Sequence, residues 1–287
     1  MLRALSSGVS GIQQFQNRLD VIGNNIANSN TIAFKAARTD FADAFSQTLQ
    51  VSSASSSGVG QSGMQVGSGV NTSAVKNMFT QGALNRTGVG TDLAISGDGF
   101  FMVRDSLSGV EYATRAGDFR LDSAGFLITN KGLRVQGFTD GAGTLRGDLL
   151  IDASGAPATS TPGAAMTTFS ISKDGGINVH LSDGSEFLRG TVLLQKFSDT
   201  QALLKEGDNL YSGIGAAGPL GGTASPLSQR PGTNGLGEIQ ASSLELSNVD
   251  LANEFASLIS TQRGFQASAR IITTSDEILQ ELVNLKR

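Results

Sequence analysis

Both ends of this 287-residue chain carry an apolar stripe at helical spacing, and that pairing limits the fold more than any other feature. Near the start, Leu2, Leu5, Val9, Ile12, Phe15, Leu19, Ile22 and Ile26 recur at steps of three and four, the mark of an amphipathic helix. At ~1.5 Å per residue such a helix is about 37 Å long. Gly8, Gly11 and Gly23 interrupt it, each at about 1 kcal/mol relative to Ala, so it needs a partner. The other end offers one. Leu251, Phe255, Leu258, Phe265, Ala269, Ile272, Leu279 and Val283 alternate at four and three, with Gln262 and Asp276 in the same seam. Ser247, Asn248 or Asp250 can cap this second helix, Asp250 and Glu254 suit its positive end, and Lys286 and Arg287 suit its negative end. The pattern predicts a coiled-coil-like pair of terminal helices. Two ordinary core helices of one globule would leave the same trace.

The stretch between them reads differently. From Gln47 to Ser73 the chain is rich in Ser, Gly, Val and Gln, including the run Ser52–Gly58. That composition buries little and predicts a linker or extended arm, with simple disorder as the other reading. From Leu93 to Tyr211 short apolar runs alternate with turn signals. Phe100–Val103, Phe119–Leu121, Phe126–Thr129, Arg134–Phe138, Phe169–Ile171, Ile177–Leu181 and Thr191–Leu194 are expected strands. Asp98-Gly99, Gly125, Gly132, Asp140-Gly141, Asp174-Gly175 and Asp183-Gly184 punctuate them. Ile177, Val179 and Leu181 place one face inward. Ala153–Thr168 and Gly213–Gly237 read as loops. The expected class is α+β: N- and C-terminal helices paired in coiled-coil fashion, with an inserted, mainly antiparallel β domain. The expected boundaries are 1–30 for the first helix, 31–77 for the arm, 78–240 for the β domain and 241–287 for the last helix.

Chemistry is scarce. There are no cysteines, which excludes disulfides, thiolate metal sites and thiol nucleophiles. The single histidine, His180, sits in a strand pattern, and no nucleophile elbow accompanies it. Two G-x-G-x-x-G matches, Gly58–Gly63 and Gly213–Gly218, lack the strand before and helix after that a phosphate loop needs. Asp118 with Asp122, and Asp174 with Asp183, read as turn residues before they read as acid–base pairs. No catalytic residue, cofactor or metal ligand is expected. A net charge of -4 without a basic block gives no attraction to nucleic acid. The start of the chain has no secretory h-region, and no run is long enough to span a membrane.

Several ordered motifs carry a resemblance. Asp20-Val21-Ile22-Gly23-Asn24-Asn25-Ile26-Ala27-Asn28-Ser29-Asn30-Thr31-Ile32-Ala33-Phe34-Lys35 resembles the signature of the flagellar rod and hook axial proteins. Its motif residues are Asn24, Asn25, Ala27, Asn28, Thr31, Phe34 and Lys35. Ala33 stands where the family usually has Gly, and a positive φ there would strain it. Thr91–Phe101, Tyr112–Phe119 and Gly207–Tyr211 are similar to motifs of the family's β domain. Leu244–Leu251, Thr261–Ala267 and Leu282–Leu285 are closer to hook proteins than to distal-rod proteins. The chain is short for a hook protein, with room for one β domain, which keeps the distal rod as the alternative. A secreted β-rich adhesin or fibre is a third reading.

The resemblance implies a structural subunit, not an enzyme, that self-assembles into the flagellar hook, a flexible tubular joint passing motor torque to the filament. It implies terminal helices lining a tube and a β domain outside them. Implied partners are further copies in a helical homopolymer, distal rod and hook–filament junction proteins, a hook cap and the flagellar type III export apparatus. The implied location is the hook and basal body of the bacterial flagellum, outside the cell after export. Leu5, Val9, Ile12, Leu19, Ile22, Ile26, Leu251, Phe255, Leu258, Phe265, Ile272, Leu279 and Val283 are the expected polymerisation seam.

Overall fold

The apolar stripes form two long helices in the computed structural model, which describes residues 2–52, 62–140, 145–153, 164–220 and 230–285. Helix α1 spans Leu2–Ala27 and helix α2 spans Leu251–Leu285. Asp250 caps α2: its Oδ1 accepts from the backbone N–H of Ala252 at 2.9 Å and of Asn253 at 3.3 Å. Lys286 and Arg287 lie outside the described residues, as do 53–61 of the serine-rich tract and first glycine motif. So do Gly141, most of the loop expected at Ala153–Thr168, and 221–229 of the second loop. The chain divides into two units, one of residues 1–29, 36–78 and 249–287, the other of residues 30–35 and 79–248.

In the first unit α1 and α2 run antiparallel, with Asn25 beside Glu254, Phe15 beside Gly264 and Gly8 beside Ile272. The glycines that weaken α1 as an isolated helix are what let α2 approach. A Cβ at Gly11 would lie 3.1 Å from Ser268 Oγ, one at Gly8 3.1 Å from an Ile272 side-chain carbon, and one at Gly264 2.7 Å from the Phe15 ring. The seam on α2 therefore differs from the expected one. Leu258, Phe265, Ile272 and Leu279 are half-buried along it, but Thr261, Ser268 and Ser275 are the buried positions between them. Gln262 and Asp276 are exposed. Small residues win the intervening sites because larger ones would hold the helices apart. Two of their hydroxyls are satisfied within the helix, Thr261 on Ser257 O at 2.6 Å and Ser275 on Ile271 O at 2.7 Å.

The segment expected as an extended arm is largely a paired ribbon. Strand β1 (Ala37–Asp43), β2 (Ser46–Gln50), β3 (Met64–Gly67) and β4 (Val70–Asn77) form two antiparallel ladders, β1 with β4 and β2 with β3. The Ser/Gly/Gln composition hid short alternations such as Val70/Thr72/Ala74 that pair well across a ladder. The ribbon packs on α1. Val70 N–H donates to Ser10 Oγ at 3.4 Å, and the Phe15 and Phe41 rings meet edge to face at 6.5 Å. Residues 31–35 are not part of it; they belong to the second unit.

That unit is an antiparallel β structure. Its long sheet places Met166–Ile171, Gly176–Leu181, Glu186–Val192, Arg134–Phe138, Phe100–Arg104, Glu111–Thr114, Leu210–Ser212 and Leu204–Gly207 side by side in that order. Phe100–Arg104 is buried on both faces. Phe101 and Val103 enter the main core with Ile177, Val179 and Leu181, while Phe100 and Met102 enter a second core with Phe197 and Tyr211. The turns at Asp174-Gly175 and Asp183-Gly184 form as expected, with both glycines at φ 80°. The expected strand at Thr191–Leu194 is divided, with Leu193 lying between Glu186–Val192 and Leu194–Phe197. The unit also runs past residue 240: Glu238–Ala241 pairs with Leu93–Ser96, and Ser243–Glu245 with Leu84–Arg86.

Candidate assembly site

Two groups of residues stand out, exposed apolar side chains on the helical unit and a buried charged cluster in the β unit. The expected seam residues divide between the interior and the outside. Ile22 is buried; Leu5, Ile12, Leu19, Ile26, Leu258, Phe265, Ile272 and Leu279 are half-buried; Val9, Leu251, Phe255 and Val283 are exposed. Exposed apolar side chains continue along α2 at Ile259, Ile271, Ile278 and Leu282, residues the heptad pattern did not single out. Leu251, Phe255 and Ile259 are i, i+4 neighbours on one flank of the α1-facing seam. Ile271, Ile278 and Leu282 share another flank. The ribbon adds Phe45, 85% exposed, with Leu49, Met64 and Val66. Its composition concealed these. The helical pair thus shows two separate exposed apolar flanks, surface of the kind that marks association.

The motif residues have distinct structural tasks. Asn24 O accepts from Asn28 N at 3.1 Å and from Asn28 Nδ2 at 2.9 Å, closing the end of α1. Asn25 is buried. It accepts from Ala37 N at 3.0 Å and donates to Ala37 O at 2.9 Å and to Glu254 Oε1 at 3.0 Å, tying α1 to β1 and α2. Ala27 is exposed. Within the second unit Thr31 O accepts from Phe34 N at 3.3 Å. Ala33 has φ 56°, so the strain foreseen for a side chain at this site is present.

Lys35 is fully buried, and its Nζ lies 2.6 Å from Glu245 Oε1 and 2.7 Å from Thr80 O. The same Glu245 oxygen accepts from Gly82 N at 2.8 Å. Burial holds the Lys35 ammonium below its ordinary lysine value, with Glu245 pulling the other way and Arg115 adding to the depression. Lys205 Nζ sits 4.5 Å from the Phe34 ring centre and donates to Lys35 O at 2.9 Å. Spacing gave no warning that Glu245 would meet Lys35. A buried lysine needs a carboxylate, but not one at a readable distance in sequence.

His180 is partly exposed, with Nδ1 3.8 Å from Glu186 Oε2. Asp118 is raised above the usual carboxylate range by burial and by nearby Asp92. Among the described residues no group of three or more His, Cys, Asp or Glu could hold a metal, and no helix is long and apolar enough to cross a membrane.

Known families match three stretches of the chain. Residues 5–35 match the flagella basal body rod protein family, residues 94–179 the flagellar hook protein FlgE/F/G D1 domain, and residues 240–285 the flagellar basal body rod FlgEFG protein C-terminal family. The flagellar basal-body rod protein FlgG of Bacillus subtilis (strain 168) is 41% identical over 288 residues, covering all of both chains. That of Buchnera aphidicola subsp. Acyrthosiphon pisum (strain APS) is 33% identical, over 99% of this chain and all of its own. The flagellar hook protein FlgE of Borreliella burgdorferi (strain ATCC 35210 / DSM 4680 / CIP 102532 / B31) is 28% identical over all of both chains, but its alignment runs to 445 positions.

Proposed function

We propose that this chain, which belongs to the family of flagellar basal-body rod and hook proteins, is the self-assembling subunit of the distal rod. The family's members are structural parts of the flagellar axis. The observation that carries self-assembly is the pair of exposed apolar flanks of α2. Leu251, Phe255 and Ile259 on one flank, and Ile271, Ile278 and Leu282 on the other, stand about half exposed on a helix whose α1-facing side is already packed. Completing the burial of each would contribute about 1 kcal/mol, half the value of a fully buried side chain. Six such contacts on every copy, repeated along a polymer, are set against the cost of association.

The choice of rod over hook is supported by length. The rod relatives align end to end with this chain, whereas the hook relative needs 445 positions against 287 residues. The hook remains the second reading, favoured by identity along the whole chain to that hook protein. Electron microscopy of tubes assembled from the purified protein separates them: the rod reading expects straight, stiff tubes, and curved, compressible ones would favour the hook. Partners on this reading are copies of the chain and the axial proteins above and below it. The route outward is the flagellar export apparatus.

A further inference from the structure

We propose that the Asn234-Gly235 pair is a self-modification site, where the asparagine side chain converts through a cyclic imide to aspartate and isoaspartate. The pair is the one Asn-Gly step in the chain. It forms the tip of a turn in the β unit. Leu236 N–H donates to Thr233 O at 2.8 Å, and Asn234 and Gly235 have φ 51° and 74°. Two successive positive φ values mark a type I′ turn, which favours Asn-Gly on backbone grounds alone. The same choice sets a carboxamide beside the least shielded amide nitrogen a chain can offer, that of glycine.

The reaction needs a free nitrogen, a free carboxamide and water. Both residues are exposed. Among the described residues Gly235 N donates no hydrogen bond and the Asn234 side chain makes none. The neighbouring Asp-Gly turns of the unit differ here. Gly175 N donates to Ser172 O at 2.9 Å and Gly184 N to Leu181 O at 3.1 Å, so each nitrogen is held by its own turn. Around Asn234 the flanking chain is held instead. Gly232 N donates to Gly237 O at 3.0 Å, Gly237 N to Asp98 O at 2.7 Å, and Lys196 Nζ to Gly235 O at 3.3 Å. The reacting atoms alone are left to solvent.

Hydroxide takes the Gly235 N–H proton, and the nitrogen attacks Asn234 Cγ. The N–Cγ bond forms, the Cγ–Nδ2 bond breaks, and Nδ2 leaves as ammonia after taking a proton from water. Water then opens the imide. Cleavage at Cγ gives aspartate; cleavage at the main-chain carbonyl gives isoaspartate. The second product adds a methylene to the main chain between Thr233 and Leu236. Little slack exists to absorb it, since Leu236 is buried in the main core and a Cβ at Gly237 would lie 2.4 Å from Ser96 O.

The test incubates the folded full chain at neutral and at mildly alkaline pH. Tandem mass spectrometry of proteolytic peptides follows each asparagine, and isoaspartyl methyltransferase labels the iso product. Conversion at Asn234 should outrun that at every other asparagine by at least about tenfold, equal to about 1.4 kcal/mol of barrier, and should quicken at the higher pH. Gly235→Ala shields the attacking nitrogen and should slow conversion by at least about tenfold. Because alanine at that φ also strains the turn, Asn234→Gln is the second variant: it keeps the amide but moves it a methylene away, and position 234 should then stay unconverted. Urea unfolding checks that both variants fold. Another asparagine converting first overturns the proposal, as does conversion indifferent to pH or confined to the urea-unfolded chain. So does either variant converting at the parental rate.

Discussion

Replacing Lys35 by Met tests whether the buried cluster holds residues 30–35 in the β unit. The substitution keeps most of the side-chain volume and removes the charge. Two short bonds are lost, 2.6 Å to Glu245 and 2.7 Å to Thr80 O. Thr80 O keeps a bond from Asn248 Nδ2 at 3.2 Å, so it is not orphaned. Glu245 is the sensitive group. It keeps Gly82 N at 2.8 Å and Arg115 at 3.5 Å but loses its closest cation. Removing one partner of a buried pair costs about 3–5 kcal/mol, and the remaining Arg115 sets the low end, about 3 kcal/mol. For a unit of this size that lowers Tm by roughly 6–12 °C. Both tyrosines of the chain, Tyr112 and Tyr211, lie in the β unit, so intrinsic tyrosine fluorescence during urea unfolding reports on it selectively. Lys35→Met combined with Glu245→Gln should recover at least about 1.5 kcal/mol relative to additivity, because the second change removes the stranded charge. A single variant within about 1 kcal/mol of the parent chain, or a strictly additive pair, would refute the reasoning.

Four further outcomes are expected. Ala33→Gly relieves roughly 1–2 kcal/mol of left-handed strain but loses a buried methyl at about 0.8 kcal/mol and stiffens nothing in the unfolded chain, so calorimetry should find it nearly neutral; Ala33→Val at the same φ should cost at least about 2 kcal/mol. Gly264→Val should lower the thermal stability of the helical unit by about 1–3 kcal/mol, read by far-UV circular dichroism, since the Phe15 ring occupies the space. Burial alone would raise the Asp148 carboxyl, but bonds from Gln136, Arg134 and Arg104 hold it below the ordinary aspartate value. Its contribution is therefore present above the unfolded value near 3.8 and lost as pH falls through the depressed folded one; Asp148→Asn should flatten that acid limb of the stability curve, and an unchanged limb would count against it. Phe255→Asp should abolish sedimentable polymer while leaving urea unfolding of the β unit unchanged, and normal tubes from that variant would reject the role given to α2.

Much of this architecture is legible in the amino-acid order, and the gaps have physical causes. Both terminal helices follow from apolar spacing, and the β unit's turns follow from Asp-Gly and Lys-Gly pairs that place glycine at positive φ. The intrachain seam is harder. Leu258, Phe265, Ile272 and Leu279 belong to two adjacent stripes, and only the facing glycines of α1 decide that Thr261, Ser268 and Ser275, not Gln262 and Asp276, complete it. Close packing by small residues leaves no hydrophobic signal. The four ribbon strands between Ala37 and Asn77 are hidden for a related reason: most of their residues are polar, apart from a few such as Phe41 and Leu49. The Lys35–Glu245 contact joins positions 210 residues apart, and no local pattern encodes it.

The direct test of the exposed apolar flanks of α2 is hydroxyl-radical footprinting of Phe255, Ile259 and Ile278 in monomer and in assembled tubes. Each side chain is close to half exposed in the single copy, so each should label readily there. Labelling in tubes should fall to near background at all three, with Leu107, 96% exposed on the β unit, as the reference that every sample must label. Tubes in which Phe255, Ile259 and Ile278 label as strongly as in the monomer would contradict the account.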